Sequence, residues 1–288
     1  MNNLFIISFS ILCGSIIHII FRYFSRFNIS KFQAVVVNYL VCSLIGLGLS
    51  GDKLSQVWNT EWFLLCFFLG IIFVTVFWLM AYNTEVHGAS INAMSSKMAV
   101  VVPVVFSIFV LKEQIHYLAI IGVCLSIPAI LLISLRKDVK LSKTHKSLPI
   151  LVFLCSGAID LILKLLEMYQ GNVASSTQLS YGLFMGAFTF GALALLYQAA
   201  KQGKKLLWKN SIAGLILGIP NYFSIALLLA FLNAYPNNST FVFGMYNTGI
   251  VLVSSILSSL IFKEIWTRQK LFGLILVILS VILVAYGQ

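Results

Sequence analysis

Acidic residues are scarce. Asp and Glu together number eight in 288 residues, and charged residues of every kind make up 9%. A soluble domain with so few charges has no polar shell with which to cover a composition that is 60% hydrophobic. The scarcity also removes metal-dependent lipid chemistry, which needs clustered carboxylates, and no Asp-x-x-Asp occurs. Gly-x-Ser-x-Gly, His-Glu-x-x-His and Walker motifs are missing as well. The reading is therefore of a non-enzyme with no catalytic residues, no cofactor and no metal. The five cysteines (Cys13, Cys42, Cys66, Cys124, Cys155) include no Cys-x-x-Cys and all fall inside apolar runs. They read as buried hydrophobes rather than disulfides or metal ligands. The start, Met1-Asn2-Asn3, lacks the basic n-region of a cleavable signal peptide.

What remains is a series of long apolar runs. Ten are expected as membrane spans, at about 4–23, 32–50, 61–82, 88–111, 116–135, 148–166, 175–200, 208–232, 238–262 and 270–287. A membrane β-barrel would instead show alternating segments of about ten residues. The runs imply an all-α integral membrane fold, with the lipid bilayer as its solvent.

The chain repeats itself. At an offset of 151, Lys112-Glu113 falls on Lys263-Glu264, Met94 on Met245, Ser107 on Ser258, Gly122 on Gly273 and Leu132 on Leu283. At an offset of 142, Cys13 falls on Cys155, Ile17 on Ile159, His18 on Asp160 and Arg22 on Lys164. Fixed-offset similarity marks an internal repeat, a frequent construction of secondary transporters. The expected organisation is a first five-helix repeat at 1–135, a basic linker at 136–147 and a second five-helix repeat at 148–288. An odd number of spans per repeat makes the two halves run in opposite senses, inverted about an axis in the membrane plane.

The formal charge of +11 is not a nucleic-acid footprint, because the basic residues cluster in short breaks between apolar runs. Of 19 Lys and Arg, 15 fall in breaks on one side, around residues 22–31, 136–146, 201–209 and 263–270. Lys53 and Lys112 fall on the other side, and Lys97 and Lys164 lie within spans. The positive-inside rule makes the first side cytoplasmic and puts both termini outside the cell membrane. Trp58, Trp62, Trp208 and Trp266 near span ends read as interfacial anchors.

The stretch from span 3 to span 5 carries Ala81-Tyr82, a small-residue turn, Ser95-Ser96, Pro103-Val104, Lys112-Glu113 and Gly122. The second half keeps Lys263-Glu264 and Gly273, with Ser254 where the first has Pro103. This pattern resembles the drug/metabolite transporter superfamily, specifically its ten-helix EamA-type permeases. The resemblance implies two inverted five-helix repeats around a central cavity lined by helices 1, 3, 4, 6, 8 and 9, with helices 5 and 10 outside. Members commonly have cytoplasmic termini, opposite to the charge count here. The resemblance implies transport of a small molecule without choosing among amino acids, nucleotide precursors, sugars and drugs.

Several polar residues fall where lipid would surround them. Lys97 lies about nine residues into span 4, roughly 14 Å deep in a ~30 Å core. An ionised Lys there costs about 2.5–3.5 kcal/mol. It reads either as a cavity residue that binds an anionic group or changes protonation, or as a structural partner of Asp160. Asp160 reads as a proton or cation site, as the counter-ion of Lys97, or as an i, i+4 partner of Lys164. His18, its repeat mate, is a coupling candidate or a satisfied interior histidine. Asn92 and Ser96 on span 4 and Tyr246 and Asn247 on span 9 either contact substrate or bond between helices. Asn221 and Tyr222 follow a helix-kinking Pro220, and Trp78 and Tyr82 are candidates for an aromatic cavity wall. Gly182, Gly186, Gly214 and Gly218 have small-xxx-small spacing, which permits close helix approach.

The leading expectation is a secondary transporter moving a small polar metabolite by alternating access, with ion or proton coupling as an option. The alternative within transport is efflux of lipophilic cations on Asp160. Outside transport stand a membrane scaffold and an integral-membrane enzyme. Beyond the small-molecule substrate and the bilayer, a homodimer is left open.

Overall fold

In lipid a long apolar run satisfies its own backbone only by coiling, and each described run does so. The computed structural model describes residues 3–87, 95–113, 116–134, 147–202, 206–263 and 267–286. Every regular element among the described residues is a helix. The first half contains α1 (Asn3–Arg26), α2 (Lys31–Ser50), the short α3 (Leu54–Val57), α4 (Glu61–His87), α5 (Val101–Phe109) and α6 (Tyr117–Ser134). The second half contains α7 (Leu148–Gln170), α8 (Ser176–Gln202), α9 (Trp208–Ala234), α10 (Ser239–Phe262) and α11 (Arg268–Tyr286). Seven are long and apolar enough to cross a membrane: α1, α2, α4, α7, α8, α9 and α10. Shorter apolar helices cover Ser95–Phe109, Tyr117–Leu132 and Leu271–Tyr286. Large apolar side chains such as Phe68, Phe109 and Leu260 point outward, as lipid permits and water would not. This is an all-helical, multi-pass membrane protein.

Some helices outrun their apolar stretches. The sixth run, expected to end near 166, continues as α7 to Gln170. Lys164 and Glu167 carry it there because their side chains form an ion pair at 3.7 Å instead of facing lipid. The fourth run departs from expectation in the other direction. An uninterrupted span over 88–111 was expected, but a helical turn at 95–98 breaks at 99–100 before α5 begins. The cause is Pro103, which has no N–H to donate to the Ala99 carbonyl. That carbonyl instead accepts from the Val102 N–H at 2.9 Å, a tighter i→i+3 bond. At the equivalent place in the second half stands Ser254, and α10 runs through without interruption.

Packing joins the halves more than it holds each half together. α1 lies on α9 and α10, α2 on α8 and α9, α4 on α7 and α8, and α5 on α7 and α10. The most extensive contact is α6 with α11, where the Ser280 hydroxyl donates to the Gly122 carbonyl at 2.7 Å. Small residues allow several of these crossings. A Cβ on Gly186 would fall 1.9 Å from the Phe67 carbonyl oxygen, and one on Gly218 would fall 2.5 Å from Val41 Cβ. Polar staples close the ends. Asn210 donates to Gln33 Oε1 at 2.6 Å between α9 and α2. Arg22, at the end of α1, donates to Ser258 Oγ at 2.6 Å and stacks 3.9 Å above the Phe262 ring. Asp52, in the break after α2, accepts from Gln178 at 3.0 Å and Tyr181 at 2.8 Å. Partial burial works against the Asp52 charge, but hydrogen bonds from Gln178, Tyr181 and Ser50 outweigh it and hold the carboxyl below its ordinary range.

Two expectations about surface residues are corrected. Trp62 is not an interfacial anchor: it is 5% exposed and packs edge-on against Tyr181. Cys124 is exposed rather than buried, because its face of α6 is turned away from α11.

Candidate functional site

The break after residue 98 leaves Lys97 on the last helical turn before it. From there its ammonium interacts electrostatically with Asp160 on α7 and with His18 on α1. Among the described residues Lys97 and Asp160 face each other without the close contact of a salt bridge. All three side chains lie deep among the helices, yet each keeps some accessible surface. None of the three is fully sealed in packing.

The carboxylate is anchored from within its own half of the chain. Asn247 on α10 donates through Nδ2 to Asp160 Oδ2 at 3.1 Å. One residue earlier, the Tyr246 hydroxyl lies 2.8 Å from Ser224 Oγ on α9 and within electrostatic reach of Asp160. Ser10 on α1 completes the arrangement by donating to the Ser224 carbonyl at 2.7 Å. The helices come close enough because Gly14 and Gly249 leave room. A Cβ on Gly14 would meet Ile250 Cδ1 at 2.6 Å and Ser224 Oγ at 3.0 Å, and one on Gly249 would meet Ile11 Cδ1 at 2.6 Å.

The structure thus brings together Lys97, Asp160, His18, Tyr246 and Asn247. Ser96 is buried beside Lys97 in sequence, at 8% exposure. Asn92 lies outside the described residues. Tyr82 stacks on Trp78 with ring centroids 6.0 Å apart. Trp78 itself is 49% exposed and lines a shallow surface groove with Lys31, Phe32, Val35 and Phe77, so it is not a wall of the charged site. Asn221 and Tyr222 also point elsewhere. Asn221 donates to Cys42 Sγ at 3.7 Å, and the Tyr222 ring fills the space left by Gly46, both on α2. The face of α9 that meets the site is carried by Ser224, three residues further on. Lys164 is no partner of Asp160 either. It pairs with Glu113 at 3.9 Å and Glu167 at 3.7 Å and donates to the Pro236 carbonyl. Ser10 and Ser224 gave no signal of their own in the sequence, since isolated serines are common in membrane helices and bond to backbone just as often. Their shared contact was invisible without the α1–α9 crossing. No group of three His, Cys, Asp or Glu among the described residues comes together to hold a metal.

The described residues thus form a multi-pass helical protein with opposed charges held deep among its helices. Residues 2–135 match the model of the EamA-like transporter family. This match over the first part of the chain supports membership of the drug/metabolite transporter superfamily. It is similar along nearly its whole length to an uncharacterised protein of Haemophilus influenzae (strain ATCC 51907 / DSM 11121 / KW20 / Rd). The two are 24% identical, over 96% of this chain and 94% of that one. A solved structure, titled only as the crystal structure of a protein, superposes with a TM-score of 0.78 at 12% identity. That match covers 99% of this chain and 96% of the other, and it speaks to the fold alone.

Proposed function

We propose that the chain is a secondary transporter that carries a small polar metabolite across the cell membrane by alternating access. In this reading ten helices span the bilayer as two inverted repeats, 1–135 and 148–288, joined by the basic stretch 136–147. The pattern of contacts supports it. Exchanging the halves turns α1–α9 into α7–α4, α1–α10 into α7–α5, and α2–α9 into α8–α4, and all of these pairs are in contact. Lys112 and Lys263, repeat mates, both adopt the left-handed backbone, with φ of 53° and 52°.

The observation that carries the reading is the opposed pair of Lys97 and Asp160, deep among the helices yet not fully sealed. Ionisable groups at this depth are expensive unless they serve a pathway or pair with one another. Lys97 is the seat for an anionic group of the substrate. Asp160, fixed by Asn247, is its counter-charge when the site is empty. His18 is within reach to take part in ion or proton coupling. Efflux of lipophilic cations on Asp160 is the weaker reading, because Lys97 adds a like charge beside any such cargo.

The test is a thermal-stability screen of the purified protein against amino acids, carboxylates, nucleosides, sugars and cationic dyes. Stabilisation by an anion-bearing metabolite, followed by its uptake into reconstituted vesicles, is the expected result. Stabilisation by cationic dyes alone would overturn it in favour of efflux. The 15-to-2 distribution of basic residues further supports a reading in which both termini lie outside the cell. A C-terminal reporter that is active only in the cytoplasm should stay silent, and activity would reverse the assigned orientation.

A further inference from the structure

A second buried ionic group lies outside the charged site. Where α5 ends, Lys112 turns left-handed and redirects the chain, and Glu113 follows. The Glu113 carboxylate reaches the start of α10, where Oε2 accepts from the Ser239 N–H at 3.0 Å and Oε1 from the Ser239 hydroxyl at 2.7 Å. A helix N-terminus has unsatisfied N–H groups and a partial positive charge, so a carboxylate is well placed there. Lys164 on α7 lies 3.9 Å from that same carboxylate and 3.7 Å from Glu167, and donates to the Pro236 carbonyl just after α9. Glu167 is in turn bonded to Asn233 at the end of α9. The group is almost sealed, with side-chain exposures of 1% for Lys164 and 6% for each glutamate.

We propose that Glu113, Lys164 and Glu167 form an ionic latch that closes one end of the central space and is released when that end opens. The proposal rests on the alternating-access reading above. Its elements are those that carry the site. Lys164 lies one helical turn, about 6 Å, from Asp160 on α7. Ser239 opens the helix that presents Tyr246 and Asn247. α9, whose end is held by Asn233, presents Ser224. Parting the ends of α7, α9 and α10 would therefore uncover the site from this side, and closing them would seal it.

The chemistry suits a contact that must break. Buried ion pairs add little net stability compared with well-packed apolar groups, and their best-attested use is to fix register or to switch. When a latch of charges opens, water hydrates both partners and offsets the lost attraction. An apolar plug opening the same path would expose apolar surface with no such offset. Charges therefore seal this end while keeping closed and open states near in free energy, as a carrier that must visit both requires.

The native cysteines allow a test without any substrate. Cys13 is 5% exposed on α1, the helix that carries Ser10 and His18, and lies within electrostatic reach of Tyr246. Cys66 is fully buried between α4 and α8, where a Cβ on Gly182 would touch it at 2.8 Å, away from the latch. The full-length protein and its Glu113→Gln variant are treated with methyl methanethiosulfonate, and each cysteine is read by peptide mass. The expected result is labelling of Cys13 at least tenfold faster in the variant, with Cys66 unchanged. No change at Cys13 would overturn the latch, as would equal acceleration at both cysteines, which reports general loosening. Should Glu113→Gln fail to fold, Ser239→Ala removes one bond to the carboxylate without touching a charge, and the same comparison applies. The labelling result stands whatever becomes of the transport reading, which the ligand screen tests separately.

Discussion

Replacing Lys97 with Met abolishes substrate binding while the protein still inserts and folds. The two halves of this expectation have separate causes. Met is close to Lys in length and apolar, so it fills the same space without the about 2.5–3.5 kcal/mol cost of placing an ammonium at mid-membrane. The protein should therefore still insert and fold, with its unfolding midpoint lowered only by what the unpaired Asp160 carboxylate costs. Binding behaves differently. An anionic group brought into the space would face Asp160 with no opposing cation. Loss of one partner of a buried, hydrogen-bonded charge pair costs about 2–5 kcal/mol, which is roughly 30-fold or more in affinity. The check is ligand-induced thermal stabilisation and vesicle uptake with whichever metabolite the screen returns. Normal uptake by Lys97→Met would remove Lys97 from the mechanism. The double variant with Asp160→Asn separates pairing from binding. If the two residues are counter-ions, the second change should relieve part of any stability defect of the first, while binding stays lost. Additive stability losses would show that each has its own partner.

The helical membrane fold was legible because lipid leaves the backbone few choices, and apolar runs of this length cannot be mistaken for soluble structure. A pairing of Lys97 with Asp160 was one reading open from the sequence, since ions in lipid must find one another, but the approach of His18 to Lys97 was not read from it. What the sequence did not disclose was direction around each helix. Asn221 and Tyr222 were marked by the neighbouring Pro220, yet they turn to α2, and Ser224 turns to the site. A proline announces that a helix is disturbed but not which face it then offers. Trp78 failed likewise: an aromatic ring is equally at home against a substrate or at the surface. Glu113 looked like part of a loop, because its partners Ser239 and Lys164 lie 126 and 51 positions away in the chain. The break after residue 98 was not read from Pro103, and the rerouted Ala99 carbonyl shows where it falls.

Gly186→Ala should be among the most damaging single-methyl additions in this chain. Lipid tails are as apolar as the helices, so helix association in a bilayer rests on close packing rather than on escape from water. At the α4–α8 crossing the packing is backbone against backbone. A Cβ on Gly186 would stand 1.9 Å from the Phe67 carbonyl oxygen and 2.7 Å from its carbon. From the other side, a Cβ on Gly70 would meet the Ala187 nitrogen at 2.3 Å and the Gly186 carbonyl carbon at 2.6 Å. No rotamer relieves either contact, because the obstructing atoms belong to the helices themselves. Overpacking a core costs about 1–3 kcal/mol where side chains can yield, and here they cannot, so the top of that range or beyond is expected. Gly48→Ala is the control. Nothing lies within 4 Å of the position its Cβ would take, so helix propensity alone acts and the change should stabilise by about 0.5–1 kcal/mol. The measurement is the unfolding midpoint of both variants in the same lipid or detergent. Equal midpoints would mean that α4 and α8 do not cross at these glycines. The effect should also reach the site. α4 packs on α7 as well as α8, and α7 carries both Asp160 and Lys164. A fraction of Gly186→Ala that does fold should therefore bind substrate more weakly, although the new methyl group lies far from Lys97 in sequence and on a different helix.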